Sequence, residues 1–328
     1  MKRAQYAKRG PVPQDVIEAV DFELPPPGPG QALIEVLAAP INPSDVLTLT
    51  GEYGMLPPLP AVGGNEGVGR VAKLGPDVEG LQVGQTVLLP VSSGTWATHV
   101  LADARRLMPV PGNADPRQLA MMTVNPPTAL LMLSDFVDLK PGEWVIQNAA
   151  NSAVGGYVIQ LAKIRGLNTV NVVRREAAIP AVRQAGAEVV LVDGDDLHER
   201  VAAATGGAKI RLGIDAIGGM STDHVARSVA EGGIVVNYGA MSGEPCMISP
   251  RSFVFRDLML RGFWLALWFR KAAPQRQREV FAELAQLIAA GKLSARIQAT
   301  FPVERIKEAV AQAAAGGRDG KILIVPNG

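Results

Sequence analysis

The stretch from Trp144 to Glu176, WVIQNAANSAVGGYVIQLAKIRGLNTVNVVRRE, constrains the fold more than any other part of the chain. Trp144 to Gln147 make an apolar run of strand length, Asn148 to Gly156 a turn of small residues, and Tyr157 to Arg165 a helical pattern stopped by Gly166. A second apolar run, Thr169 to Val173, completes a βαβ unit. A helix that starts just after a strand points its unpaired N–H groups and the positive end of its dipole at the turn, which favours a bound phosphate. The pattern predicts a dinucleotide site there.

The usual glycine fingerprint is altered, with Ala150 and Ser152 in the first two glycine places and Gly155 in the third. Ala and Ser are small enough to let a pyrophosphate approach, and Asn151 and Ser152 add side-chain donors that glycine lacks. At the end of the second strand, where an NAD-binding chain carries Asp or Glu, stand Arg174 and Arg175. Two arginines ending a strand are commonly a solvated edge. About 20 residues beyond the turn, however, they favour a 2′-phosphate, with no carboxylate to repel it, so the expected cofactor is NADPH.

Either side of this unit the texture differs. Up to about residue 120, short β-like runs such as Ala32 to Leu37 and Thr86 to Pro90 alternate with Pro and Gly clusters, which suggests a compact β-rich domain. From Pro126, helices and near-continuous apolar strands alternate: Val189 to Val192, helix Leu197 to Ala204, Leu212 to Ala216, helix Thr222 to Ala230, Ile234 to Tyr238 and Leu258 to Phe263. That argues for a parallel, doubly wound α/β sheet of about six strands. Two amphipathic helices, Gln275 to Ala290 and Glu304 to Ala314, and a strand Lys321 to Val325 then return to the first domain. The expected division is 1–120, 121–267 and 268–328.

A chain of 328 residues, 48% of them hydrophobic, has ample material for such cores. A formal net charge of +1, with acids and bases interspersed, argues against electrostatic capture of nucleic acid or of a membrane surface, so small molecules are the expected partners. The single Cys246 leaves no intrachain disulfide and fits a reducing compartment. No apolar region follows the basic N-terminus and no run is long enough to span a membrane, so cytoplasmic residence is expected.

INPSDVLTLTGEYGMLPPLPAVGGNEGVGRV (41–71), TVNPPTA (123–129), VIQNAANSAVGGYVIQLAK (145–163), NVVRRE (171–176), VNYGAM (236–241) and LRGFWL (260–265) resemble NADPH-dependent trans-2-enoyl thioester reductases of the mitochondrial fatty-acid synthesis type. These belong to the medium-chain dehydrogenase/reductase superfamily. The resemblance spans nearly the whole chain and implies a GroES-like catalytic domain beside a Rossmann domain. It also implies a substrate carried on CoA or on acyl carrier protein. Zinc enzymes of the superfamily have Cys where Asn42 stands and His where Asn65 stands, and His99, His198 and His224 show no metal spacing. A zinc-free mechanism is therefore expected, with the histidines at the surface or partly packed.

Without a metal, the enolate left by hydride addition to the β-carbon needs another stabiliser and a proton source. The resemblance assigns this to the tyrosine of GxYG, here Tyr53. A phenol can donate to a developing oxyanion and is protonated at neutral pH; a tyrosine in such a loop can also simply pack over the neighbouring prolines. The resemblance further implies cofactor contacts at Asn125, at Asn151, Ser152, Ala153, Val154 and Gly155 in the pyrophosphate turn, and at Arg174 and Arg175, with Glu176 where relatives often carry another Arg. It extends them to Tyr238, Gly239, Ala240 and Met241, to Phe263, Trp264 and Leu265, and to Lys321. The run FWLALWF (263–269) is expected to be buried core or interface, and strand Leu258 to Phe263 to pair across a homodimer axis. Two other readings keep fold and cofactor: a quinone or enone reductase, and a non-catalytic NADPH-binding sensor.

Overall fold

A computed structural model describes residues 1–318 and 320–327. The chain divides into two compact units, residues 1–124 with 279–328, and residues 125–278. In chain order the first part carries β1 (Lys2–Tyr6), β2 (Glu18–Asp21), β3 (Gln31–Pro40), α1 (Pro43–Thr50), β4 (Ala61–Val62), β5 (Val68–Leu74), β6 (Thr86–Leu88), β7 (His99–Asp103), β8 (Met108–Pro109) and the short α2 (Pro116–Leu119). The middle follows with α3 (Asn125–Ser134), β9 (Trp144–Gln147), α4 (Ala153–Ile164), β10 (Asn168–Val173), α5 (Ile179–Gln184), β11 (Val189–Val192), α6 (Leu197–Thr205), β12 (Leu212–Asp215), α7 (Gly219–Ser228), β13 (Ile234–Asn237), α8 (Pro250–Phe253), β14 (Met259–Gly262) and α9 (Leu265–Lys271). After α10 (Pro274–Ala289) come β15 (Ile297–Phe301), α11 (Ile306–Ala314) and β16 (Lys321–Ile324).

In the first unit a seven-stranded sheet runs β15-β16-β3-β5-β6-β8, with β7 also paired to β3. The C-terminal strand enters it antiparallel to β3, setting Leu323 opposite Pro40 and Ile324 opposite Ala39. One core is shared between chain ends: Tyr6, Ile41, Leu49 and Trp96 pack with Ile306, Val310, Ile322 and Ile324. Each such side chain contributes about 1.5–3 kcal/mol on burial.

The second unit is a six-stranded parallel sheet of order β11-β10-β9-β12-β13-β14. Order reverses between β9 and β12, the switch point at which doubly wound sheets open a crevice at their carboxyl ends. Every residue of β12 is buried, as expected of a parallel strand covered on both faces.

Three boundaries depart from the sequence reading. Helix α4 begins at Ala153, four residues ahead of the apolar pattern, because the Ser152 side chain caps it by accepting from the Gly155 amide at 3.1 Å. Gly155 and Gly156 thus lie in the first helical turn. Helix α7 likewise starts at Gly219 and stops at Ser228, where Val229 turns extended. The run 263–269 is not core: β14 ends at Gly262, α9 starts at Leu265, none of α9 is buried, and Leu267 is 37% exposed. Its aromatics are satisfied at the surface, Phe263 edge-on to Phe136 at 5.9 Å and Trp264 beneath the Arg270 guanidinium at 5.5 Å.

Candidate active site

In the second unit the βαβ turn is shaped by contact distances. A Cβ on Gly155 would come within 2.5 Å of the Ala150 carbonyl oxygen, so only glycine lets the helix start this close to the strand end. The Ala150 amide donates to Val172 O, and the Gln147 side-chain amide donates to Gly155 O at 3.0 Å and to Asn171 Oδ1 at 2.8 Å. Polar side chains inside the sheet thereby lock the turn between β9 and β10. Asn151 is exposed, while Ser152 and Ala153 are half-buried and Val154 is buried.

Arg174, Arg175 and Glu176 are all exposed just past β10. The nearby acid Asp193, whose amide donates to Val173 O, is occupied: Ser221 donates to one oxygen at 2.6 Å, and His224 Nδ1 lies 2.8 Å from the other. His224 is the most packed of the histidines, 9% exposed and held between Asp193 and Asp195.

Segment 238–241 follows β13, with the amides of Tyr238 and Met241 donating to Asp215 O and Ala216 O. A Cβ on Gly239 would lie 2.8 Å from Ala216 O, a second glycine fixed by close approach. The Tyr238 phenol is pushed above its ordinary pKa by burial, although a hydrogen bond with Ser152 pulls the other way. Tyr238 thereby ties the segment after β13 to the helix cap. Ala240 and Met241 are exposed, and Phe263, Trp264 and Leu265 are half-exposed beyond β14. Asn125 is buried at the first residue of α3.

In the first unit Tyr53 lines a cleft of about 250 Å³, together with Tyr6, Asp45, Leu49, Met55, Leu56, Asn65 and Trp96 among others. Helix α1 sets its position. Asn42 and Asp45 form a capping box at the start, and Gly51, at φ 91°, ends the helix. The amides of Gly51, Glu52 and Tyr53 then all donate to Leu47 O, so the tyrosine leaves the last turn at a fixed angle.

Beside the cleft lies a buried polar cluster that sequence reasoning did not assemble. The Glu66 carboxylate, fully buried, accepts from Asn42 Nδ2 at 2.7 Å and from the Thr123 and Val124 amides at 2.9 and 2.8 Å. Asp45 accepts from the Asn42 amide at 2.7 Å and from Asn65 Nδ2 at 2.8 Å. Lys321, 6% exposed, donates to Asn42 Oδ1 and to Ile41 O. Burial raises the Asp45 pKa to about 6 against the pull of the Asn42 amide, Lys321 and Asn65. Burial also raises Glu66 and lowers Lys321, while each pulls the other back toward its charged form. The signal was present in the two acids inside NPSD and GGNEG, but their convergence with a lysine more than 250 residues on needs the β16–β3 pairing.

This cluster also tests whether zinc fits. Asn42 and Asn65 are bound into amide–carboxylate pairs and an ammonium occupies the same cluster, a donor set suited to hydrogen bonds and not to Zn²⁺. Among the described residues no three His, Cys, Asp or Glu side chains are placed to hold a metal. No helix among them is long and apolar enough to cross a membrane.

A GroES-like sheet unit carrying a tyrosine cleft, and a parallel sheet with a glycine-fitted turn at its switch point, define a nicotinamide-dependent reductase of the medium-chain superfamily. Residues 28–112 match the alcohol dehydrogenase GroES-like domain and residues 153–290 the zinc-binding dehydrogenase domain. The human mitochondrial enoyl-[acyl-carrier-protein] reductase is 39% identical over 306 residues, covering 91% of this chain and 82% of that protein. A solved complex of Etr1p with NADP and crotonyl-CoA superposes with a TM-score of 0.89 at 27% identity, over 99% of each chain. A Bacillus thuringiensis protein described as an NADPH:quinone reductase gives 0.89 at 28%, over 99% of this chain and 98% of that one. The chain belongs to the enoyl-[acyl-carrier-protein] reductase family of medium-chain dehydrogenases/reductases, and it is an oxidoreductase.

Proposed function

We propose that the chain reduces the C2=C3 double bond of trans-2-enoyl thioesters with NADPH and without zinc. The observation that carries this reading is the cleft wall: a tyrosine held by an α1 cap lines the same cleft as Asp45 and Asn65, and at the positions where a zinc dehydrogenase would carry ligands Asn42 and Asn65 are bound to carboxylates, a donor set that suits hydrogen bonds. NADPH supplies a hydride for the β-carbon. Its pyrophosphate suits the turn Asn151, Ser152, Ala153, Val154 and Gly155, where an α4 amide terminus meets a backbone with no Cβ at Gly155. Arg174 and Arg175 suit its 2′-phosphate, being exposed and adjacent at the end of β10. Asn125, Tyr238, Gly239, Ala240, Met241, Phe263, Trp264 and Leu265 complete the proposed contacts, and Glu176 weakens the positive clamp beside them; Lys321, expected among them, is buried and bound instead to Asn42 and Ile41.

Tyr53 acts on the thioester. Its hydroxyl donates to the oxyanion that develops as the β-carbon accepts hydride, and its proton passes to the α-carbon. Leu49, Met55 and Leu56 offer apolar surface to an acyl chain in the cleft. A homodimer formed along β14 belongs to the same reading, because among the described residues that strand pairs only with β13 and all four of its residues are exposed.

The test is NADPH consumption by purified protein with crotonyl-CoA, beside a benzoquinone and an NADH control, in wild type and Tyr53→Phe. Rapid, NADPH-specific turnover of the thioester, falling about 10²- to 10⁴-fold in the variant, is expected. Turnover of the quinone alone would move the activity to quinone reduction, and an unimpaired Tyr53→Phe would remove the tyrosine from the chemistry.

A further inference from the structure

The stretch that follows Tyr53 is sparsely attached. Beyond the three amides on Leu47 O, residues 54–60 receive one hydrogen bond among the described residues, and Arg9 donates it: its Nη2 bonds the Pro57 carbonyl. Met55, Leu56 and Leu59 are 46%, 42% and 38% exposed, so little apolar burial holds this stretch down. Packing places Arg9 at both ends of it. The Arg9 stem lies over Gly51, where a Cβ would be 3.4 Å from Arg9 Cδ, and the neighbouring Gly10 amide bonds Leu49 O in the last turn of α1. The guanidinium also reaches the phenol of Tyr6, a buried residue at the end of β1 that lines the same cleft.

We propose that Arg9 is a positioning residue for the reaction: by bracketing Gly51 and Pro57 and holding Tyr6, it sets the Tyr53 segment against the cleft. The proposal rests on the enoyl thioester reading for its kinetic arm alone. Among the described residues, 54–60 receive no hydrogen bond besides that of the Arg9 guanidinium, and proton delivery is sensitive to displacements of about 1 Å. A guanidinium is suited to this because it presents several donors in one rigid plane, whereas an ammonium on the same stem cannot span both partners.

Arg9→Met keeps the stem over Gly51 and removes the donors, and Arg9→Lys keeps charge and one donor. In Arg9→Met, kcat for crotonyl-CoA at saturating NADPH should fall about tenfold or more with NADPH affinity unchanged, and Arg9→Lys should recover part of the loss. In a Tyr53→Phe background, Arg9→Met should cost less than about twofold further, because the positioned group is gone. An equal loss in both backgrounds, or wild-type kcat in Arg9→Met, overturns the proposal. Amide exchange at Gly51, Glu52 and Tyr53 reads the bracket without any turnover: it should speed up by about tenfold in Arg9→Met while β3 and β5 stay unchanged. If the wild type reduces no enoyl thioester, the functional reading fails, and this exchange arm decides the bracket, unchanged rates overturning it.

Discussion

Asp45 sits at N3 of α1, where a carboxylate is favourable, yet it is enclosed among Glu66, Lys321, Tyr6 and Asn65, where desolvation outweighs the donors it gains. Its folded pKa of about 6 lies above the unfolded value of 3.8. The folded chain therefore holds a proton that the unfolded chain releases, and this group's stabilisation is full below the unfolded value and lost as pH rises through about 6. Asp45→Asn, which retains an acceptor but does not titrate, should flatten the stability profile between about pH 4 and about pH 7. Denaturant unfolding across that range checks it, and parallel wild-type and variant profiles would contradict the assignment. Arg174 is the opposite case, an exposed charge with no buried partner among the described residues, so its worth should appear on ligand binding. Arg174→Ala should weaken NADPH by about 1.5–3 kcal/mol and NADH by far less. Equal losses by calorimetry would sink the 2′-phosphate role.

At the scale of the element, the βαβ turn depends on the absence of one methyl group. Gly155→Ala puts a Cβ within 2.5 Å of Ala150 O, so either α4 or the end of β9 must shift. A loss of about 1–3 kcal/mol of stability together with weaker NADPH binding is expected; a variant of wild-type melting temperature and affinity would show that the turn yields freely. This turn was legible in the sequence because strand, small residues and helix are contiguous there. The start of α4 was not, since the apolar pattern begins at Tyr157, whereas a cap from Ser152 to the Gly155 amide decides where the helix begins. Of the two placements expected for the aromatic run 263–269, core or interface, the fold removes the first: none of α9 is buried, and the Arg270 guanidinium lies over the Trp264 ring. The acids of NPSD and GGNEG could be read in the sequence, but not the convergence of Asn42, Glu66 and Lys321, which are distant in sequence and are brought together by strand pairing.

For the whole molecule, the open side of β14 is the main unresolved free-energy problem. The six-stranded sheet has β14 at one end, and Met259 and Leu260 on it are 53% and 38% exposed, with Phe253, Val254 and Phe255 at 49%, 66% and 79% just before it. An apolar edge with unpaired backbone groups recruits another strand, and a second copy of the same edge satisfies both by two-fold antiparallel pairing. Wild-type protein should therefore sediment as a dimer, and its unfolding midpoint should rise with protomer concentration, because dissociation accompanies unfolding. Met259→Lys with Leu260→Lys leaves the strand paired to β13 but sets like charges across the axis, so that variant should be a monomer with a midpoint independent of concentration. A wild type that stays monomeric at every concentration, or a double variant that remains dimeric, would mean that something other than a second β14 covers this edge.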